Sequence, residues 1–174
     1  MTVDASGLFA PLALRNLTVP NRFAMAPMTR QASPGGVPGP DVAEYYARRA
    51  AGGVGLIITE GVRLGDLSAA NSQDIPTLVG AAALDGWRNV TSAVHRHGST
   101  IAAQLWHQGA ERGDRDGVAP VSPSGVNGHG EKIGAKIGII ADCHLMRGGV
   151  FRKNRVCFGQ FSRPALGHKM IGNV

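Results

Sequence analysis

The stretch that decides the fold reads Asn21-Arg22-Phe23-Ala24-Met25-Ala26-Pro27-Met28-Thr29-Arg30. Phe23 and Met25 alternate with small residues, which is typical of a buried strand, and Pro27 ends that strand because it has no N–H for the ladder. Thr29 and Arg30 then bring a hydroxyl and a guanidinium to the carboxyl end of the strand. In sheets of parallel strands, ligand sites are built at that end.

A helix and a second strand are predicted after a loop that is rich in Gly and Pro. Pro40 suits the first turn of the helix, and Gly52 and Gly53 end it. Residues 54–59 are almost continuously apolar, which is typical of a parallel strand covered on both faces. We expect a polar loop to follow from residue 60 to about residue 76.

The alternation of helix and strand then repeats. A helix from about Leu84 to Gly98 carries on one face Trp87, Val90, Val94 and His97. Residues 100–105 form a third strand, and residues 12–14 and 17–19 form a short hairpin before the first one. Strands separated by helical crossovers predict a parallel α/β architecture.

Three segments, together with the order in which they occur, carry a resemblance to a known family. They are residues 21–30, then Tyr45-Tyr46-Ala47-Arg48-Arg49-Ala50 leading into Gly53-Val54-Gly55-Leu56-Ile57-Ile58-Thr59-Glu60-Gly61, and finally Ile101-Ala102-Ala103-Gln104-Leu105-Trp106-His107. Together they resemble the old yellow enzyme family of FMN-dependent ene-reductases and NADH:flavin oxidoreductases. The resemblance covers residues 7 to about 133.

The resemblance implies the N-terminal portion of a (β/α)8 TIM barrel whose bottom is closed by the hairpin. Such a barrel usually needs roughly 250 residues, so we expect these 174 residues to be truncated after about three strands. Residues 1–131 are then a partial FMN-binding barrel. Residues 132–174 are a basic tail of unclear structure.

By resemblance, the first strand supplies the flavin site. Backbone groups of Pro27 and Met28 line the isoalloxazine ring, and the Thr29 hydroxyl bonds the flavin C4 carbonyl. That bond stabilises the reduced, electron-rich ring, which makes Thr29 a catalytic residue as well as a cofactor-binding one.

The other two strands complete the ring site by the same resemblance. Gln104 offers a donor and an acceptor to the pyrimidine edge of the flavin, and Gly61 permits close approach. Trp106 lies two residues beyond Gln104 and shapes the substrate pocket. In the structural alternative, Thr29 caps a turn, Gln104 pairs with backbone and Trp106 is a core residue.

The reaction implied is reduction of FMN by NAD(P)H, followed by hydride transfer to an activated alkene. The family's His pair, written H-x-x-H or H-x-x-N, does not occur here, and the only tyrosines are Tyr45 and Tyr46. Also missing are the late strands that hold the FMN phosphate in such barrels. The alternative is therefore a catalytically inactive truncated barrel, whose open sheet edges favour self-association.

Composition divides the chain at about Lys132. Residues 1–131 hold 10 Arg against 11 acidic residues, a net charge of −1, whereas residues 132–174 hold eight Lys or Arg against Asp142 alone, a net charge of +7. All lysines and both cysteines also lie in the tail. A frameshifted or spliced reading of the gene, or a disordered tail, would produce this change.

Other classes of function receive less support. The basic tail attracts polyanions, but it contains no nucleic-acid motif and no amphipathic helix, so we expect no specific nucleic-acid or membrane partner. Cys143, His144, Cys157 and His168 lack the spacing of a zinc site, and no metal is expected. Without a signal peptide or a long apolar run, the expected location is cytoplasmic.

Overall fold

The computed structural model describes residues 4–114, 116–133, 140–147 and 150–157, the last two segments as backbone only. Its centre is a sheet of three parallel strands in the order β3-β4-β5, which are Ala24–Met25, Leu56–Arg63 and Thr100–Trp106. The crossovers between them contain helix α1 (Pro40–Ala51) and helix α2 (Ala81–His95). The predicted parallel α/β order is confirmed, and the sheet is open rather than closed into a barrel in this part of the chain.

The predicted hairpin is confirmed with its bounds. Strand β1 (Leu12–Leu14) pairs antiparallel with strand β2 (Leu17–Val19), so that Leu12 faces Val19 across the ladder. Val19 is the one buried residue of the pair.

Strand β3 is shorter and more exposed than its alternating pattern predicts. It pairs only with β4, through Ala24 opposite Leu56 and Met25 opposite Ile57. Phe23 is 39% exposed and packs edge-on against Phe9, with ring centroids 5.2 Å apart. The prediction of a buried strand is therefore wrong, because among the described strands β3 has a neighbour on one side only, and its residues are exposed or half-buried.

The helices begin and end close to where their caps predict. Helix α1 has Pro40 in its first turn and Gly52 as its C-cap, as expected. Helix α2 begins at Ala81, three residues before the prediction, and ends at His95. His97 lies beyond the helix end and is exposed, so its assignment to one helix face with Trp87 and Val94 is wrong.

Strand β4 extends further than the apolar run that predicts it. Residues 60–63 belong to the strand and are buried, so the polar loop does not begin at Glu60. The register against β5 shifts between Ile58 and Gly61, because three steps along β4 correspond to the two steps from Ala102 to Gln104 on β5. This one-residue bulge brings the successive side chains of Thr59 and Glu60 into buried positions.

The hydrophobic core lies between the two helices and the inner face of the sheet. Its buried members are Val42, Tyr46, Ala50, Ile57, Val62, Trp87, Val90, Val94 and Ile101. Trp87 is fully buried and donates its indole N–H to the carbonyl oxygen of Thr77 at 2.9 Å. This bond satisfies a polar atom that would otherwise be unpaired in the core.

The tail contains two strands where sequence reasoning detects no clean one. Strand β6 (Ile140–Arg147) pairs antiparallel with strand β7 (Val150–Cys157). The side chains of Cys143, His144 and Cys157, and all of His168, lie outside what is described. Within the described residues, no helix has the length and apolar character needed to cross a bilayer.

The close packing of α2 against the loop before α1 predicts an unusual response at Gly86. A Cβ at this position would lie 2.4 Å from the Pro38 carbonyl oxygen. Alanine is a better helix former than glycine by about 1 kcal/mol, yet we expect Gly86→Ala to lower the free energy of unfolding by about 1–3 kcal/mol because the backbones must separate. Urea unfolding measures the change.

The matched control for this change is Ser92→Ala, at an exposed position on the same helix. Since only helix propensity changes there, we expect a gain of a few tenths of a kcal/mol. A gain in stability for Gly86→Ala as well would contradict the packing described here.

Candidate functional site

A buried carboxyl group joins strand β4 to the segment that follows β3. Glu60 is 1% exposed, and its Oε2 accepts the backbone N–H of Arg30 at 2.8 Å and that of Gln31 at 3.1 Å. Hydrogen bonds to a charged group are among the strong ones in proteins. The segment that leaves β3 is therefore fixed to the middle of β4 by a side chain from 30 residues away.

Helix α1 contacts the same carboxyl-bearing residue through Tyr46. The hydroxyl of Tyr46 accepts the backbone N–H of Glu60 at 2.9 Å, and the tyrosine is fully buried. Burial, which disfavours the phenolate, raises the pKa of Tyr46 to about 12, and the nearby Glu60 charge acts in the same direction. Tyr46 therefore stays protonated throughout the neutral range.

Two arginines stack on the neighbouring tyrosine. The guanidinium carbon of Arg30 lies 3.8 Å from the centroid of the Tyr45 ring, and that of Arg49 lies 3.5 Å from it. Arg49 also donates to the Tyr45 carbonyl oxygen at 2.9 Å. These cation–π contacts hold the Arg30 side chain against α1.

The bulge in β4 is closed by a hydroxyl. Thr59 Oγ1 accepts the backbone N–H of Gln104 at 3.2 Å and donates to the Glu60 carbonyl oxygen at 2.8 Å. The hydroxyl takes the place of the ladder acceptor that the bulge removes. As a result, the carboxyl ends of β4 and β5 remain joined next to Gln104.

Gly61 lies against Trp106 where the two strands end. Gly61 is the register partner of Gln104, and a Cβ on Gly61 would lie 2.8 Å from the indole atoms Cδ2 and Cε3 of Trp106. The absence of a side chain therefore lets the indole ring lie directly on β4. Because β5 continues to Trp106, Gln104 and Trp106 lie on the same face of the strand.

The predicted ligand-facing side chains are accessible. Thr29 and Met28 are exposed, while Pro27, Gln104 and Trp106 are half-buried. Among the described residues, neither the Thr29 hydroxyl nor the side-chain carboxamide of Gln104 makes a hydrogen bond. Thr29 therefore caps no turn here and Trp106 is not in the core, contrary to the structural alternative. Their roles toward a flavin stay predictions.

The loops after β4 and β5 also contact each other at this edge. Gln108 accepts the Asn71 N–H through Oε1 at 2.6 Å and donates its own N–H to the Ala69 carbonyl oxygen at 2.8 Å. His107 Nδ1 accepts the Gly109 N–H at 2.9 Å, and burial lowers the pKa of His107, opposed by the charge of Asp66. His107 is thus held in its neutral form in this loop pair.

Sequence reasoning missed the residues that support the site. The sequence patterns place Thr59 at the end of an apolar run and Glu60 at the start of a polar loop, and they give Tyr46 no role in the site. A signal did exist, since a carboxyl group and a hydroxyl directly follow the apolar residues 54–58 within one strand. Polar groups that continue a buried strand need partners, so they mark a built site.

Comparison with known proteins assigns the chain to a family. The sequence profile of the NADH:flavin oxidoreductase / NADH oxidase family matches residues 7–146. The chain belongs to this family. The expected relationship to the old yellow enzymes is thereby confirmed. The match continues past residue 131, and the domain boundary placed there stays a prediction.

Individual relatives of this flavin oxidoreductase family are reductases. The chain is 37% identical over 118 residues to 12-oxophytodienoate reductase 7 of Oryza sativa subsp. japonica, covering 66% of this chain and 29% of the relative. It is 42% identical over 103 residues to chanoclavine-I aldehyde reductase of Penicillium roqueforti, covering 59% and 28%. The chain thus spans less than a third of the length of these relatives.

Solved structures of the family share the fold. Morphinone reductase in complex with tetrahydroNAD matches with a TM-score of 0.64 and 36% identity, over 86% of this chain and 39% of that one. The old yellow enzyme homologue of Zymomonas mobilis matches with a TM-score of 0.62 and 28% identity, over 89% and 40%. The three parallel strands and their helices are accordingly a partial TIM barrel.

The buried hydroxyl of Tyr46 predicts a loss of stability in alkali. Unfolded tyrosine ionises near pH 10, whereas Tyr46 in the folded chain ionises at about 12. Between these values the unfolded state binds fewer protons, so the free energy of unfolding falls as pH rises, by about 2–3 kcal/mol in total. Denaturant titrations at several pH values measure this fall.

Two phenylalanine variants test whether Tyr46 causes the fall in the free energy of unfolding at high pH. We expect Tyr46→Phe to be less stable at neutral pH, because the Glu60 N–H loses its acceptor, and to show a shallower alkaline fall. Tyr45→Phe keeps the Tyr46 hydroxyl and should keep its contribution. Equal slopes for the wild type and Tyr46→Phe would contradict the assignment.

The contact between Gly61 and Trp106 predicts that a methyl group displaces the indole. We expect Gly61→Ala to change the tryptophan fluorescence and near-UV circular dichroism and to cost about 1–3 kcal/mol of stability. Gly128→Ala is the control, because no atom lies within 4 Å of a Cβ built there. Unchanged spectra for Gly61→Ala would show that Trp106 does not lie on β4.

Proposed function

We propose that this chain forms the flavin-ring site of an FMN-dependent oxidoreductase of the ene-reductase type, in which hydride passes from NAD(P)H through FMN to an activated alkene. The observation that carries the proposal is the pair Thr29 and Gln104. Both side chains are accessible at the carboxyl end of the sheet, and both keep their polar groups unused within the described residues. Family membership supports FMN as the ligand.

The chemistry of these side chains fits a flavin ring. A carboxamide presents one acceptor and two donors, which matches the alternating imide and carbonyl groups of a pyrimidine edge. A hydroxyl donates one hydrogen bond to a ring carbonyl. Gln104 lies on a strand of the sheet, and Thr29 lies in the segment after β3 that is hydrogen-bonded to β4 through Glu60. A rigid support of this kind favours precise positioning.

Apolar surface next to these polar groups suits the flavin ring and a small-molecule substrate. Met28 is 52% exposed, and the half-buried indole of Trp106 lies on the same face of β5 as Gln104. When bound, FMN supplies the redox chemistry, since it accepts hydride from NAD(P)H and passes hydride to the alkene. Trp106 would then contact a small-molecule substrate, in keeping with the small molecules for which the related reductases are named.

Neither tyrosine of the chain is suited to donate the proton that completes alkene reduction. The Tyr46 hydroxyl accepts the Glu60 N–H and is fully buried. The Tyr45 ring lies under two guanidinium groups on α1. A chain that binds FMN but does not complete alkene reduction is therefore the second candidate, and the same experiment separates the two.

The test is flavin binding to the purified 174-residue chain, followed by alkene-dependent oxidation of NAD(P)H. We expect bound FMN, and we expect Thr29→Ala to weaken its binding roughly two- to tenfold, since one hydrogen bond contributes about 0.5–1.5 kcal/mol. Because the hydroxyl bonds the reduced ring more strongly, Thr29→Ala should also lower the reduction potential of the bound flavin.

A matched control is Thr18→Ala, at an exposed threonine on the antiparallel hairpin strand β2, outside the three-stranded sheet. It should leave FMN affinity and potential unchanged. Colourless protein that takes up no added FMN would contradict the proposal. Bound FMN without alkene turnover would support the second candidate, and concentration-dependent self-association in size-exclusion chromatography would accompany an open sheet edge.

A further inference from the structure

The position of Thr29 depends on the residues that directly follow it. Thr29 is exposed and makes no hydrogen bond within the described residues. The next two residues, Arg30 and Gln31, donate their backbone N–H groups to Glu60 Oε2. Gln31 also has a φ of 53°, in the left-handed region that a residue with a side chain rarely adopts. Such a conformation persists only where its surroundings hold it.

The Glu60 carboxyl group is held by these backbone donors more than by its ionic neighbour. The Arg30 Nη1 atom lies 4.0 Å from Glu60 Oε1, beyond hydrogen-bond distance. Within the described residues, both of these buried atoms lack a hydrogen-bond partner. The side chain of Glu60 is completely buried, so its principal described contacts are with the main chain that carries Thr29.

We propose that Glu60 is a positioning residue, which fixes the Thr29 hydroxyl by accepting the N–H groups of Arg30 and Gln31. The part of this inference that concerns a flavin rests on the proposed function. The geometric part concerns the chain alone and is tested without any cofactor. Glu60→Gln is the informative change, because it keeps the shape of the side chain and removes its charge.

The first measurement is amide hydrogen exchange of the unliganded chain. Because the glutamine carbonyl oxygen still accepts an N–H, only the advantage of the charge is lost. Exchange at Arg30 and Gln31 should therefore accelerate by about five- to tenfold, since hydrogen bonds to charged groups contribute about 1.5–3 kcal/mol and neutral ones about 0.5–1.5 kcal/mol. The core amides of α2 should change only as far as global stability changes.

Ser99→Ala is the matched control for global destabilisation. Ser99 is nearly buried and donates to the Val54 carbonyl oxygen at 2.6 Å, at the opposite end of the same sheet. It should lower stability without selective loss of protection at residues 30 and 31. Equal protection of these two amides in Glu60→Gln and in the wild type would overturn the inference.

The second measurement is the reduction potential of bound FMN. Glu60 could act through its own charge or by positioning Thr29, and the two roles predict changes of opposite sign in this potential for Glu60→Gln. If Glu60 acted only through its own negative charge, removal of that charge would raise the potential, because the electron-rich reduced ring would be less repelled. If Glu60 positions Thr29, Glu60→Gln should weaken the hydroxyl contact and lower the potential, as is expected of Thr29→Ala.

A double-mutant cycle completes the test. In a Thr29→Ala background, Glu60→Gln should no longer lower the potential, since the group it positions is gone. A raised potential in the single Glu60→Gln variant would overturn the positioning role even where FMN binds normally. Failure of the wild type to bind FMN would contradict the proposed function, while the exchange measurement would still decide whether Glu60 fixes the segment.

Discussion

The hydrogen bonds from the main chain after β3 to the buried Glu60 carboxyl are the interaction on which the candidate site depends. A carboxyl group in the interior is costly unless its oxygens have donors, and here the donors are the N–H groups of Arg30 and Gln31. The requirement works in both directions. The Glu60 carboxyl group needs the N–H donors of the segment because it is buried. The segment follows a strand of only two residues, and it has few other hydrogen-bond partners among the described residues.

Helix α1 extends this dependence to the outer layer of the fold. Tyr46 lies in the core and reaches the Glu60 N–H, while the adjacent Tyr45 ring lies beneath Arg30 and Arg49. Adjacent residues on a helix point about 100° apart, so this pair contacts both the core and the site edge. A shift of α1 would therefore move the carboxyl group and the arginine together.

Sequence patterns predict the elements whose signals are local. Pro40 and Gly52 delimit α1, and the apolar residues before Gln104 specify β5, because caps and burial leave a periodic signal. The patterns fail where an outcome depends on contacts distant in sequence. The alternation in β3 cannot reveal that, among the described strands, β3 has a neighbour on one side only. The run that predicts β4 cannot reveal a bulge, since the bulge exists only in register against β5.

The difference between local signals and contacts distant in sequence also divides the residues of the candidate site into two kinds. Thr29, Gln104 and Trp106 are accessible, and the sequence suggests them because their side-chain types would suit the proposed ligand. The sequence can mark Glu60 as a polar residue that continues a buried strand, but it cannot identify its partners, because these are N–H groups that every non-proline residue carries. A ligand contact can therefore be inferred from a side-chain type at a strand end. The support that gives the contact its geometry follows from tertiary packing, as with the single hydroxyl of Thr59 that closes the bulge beside Gln104.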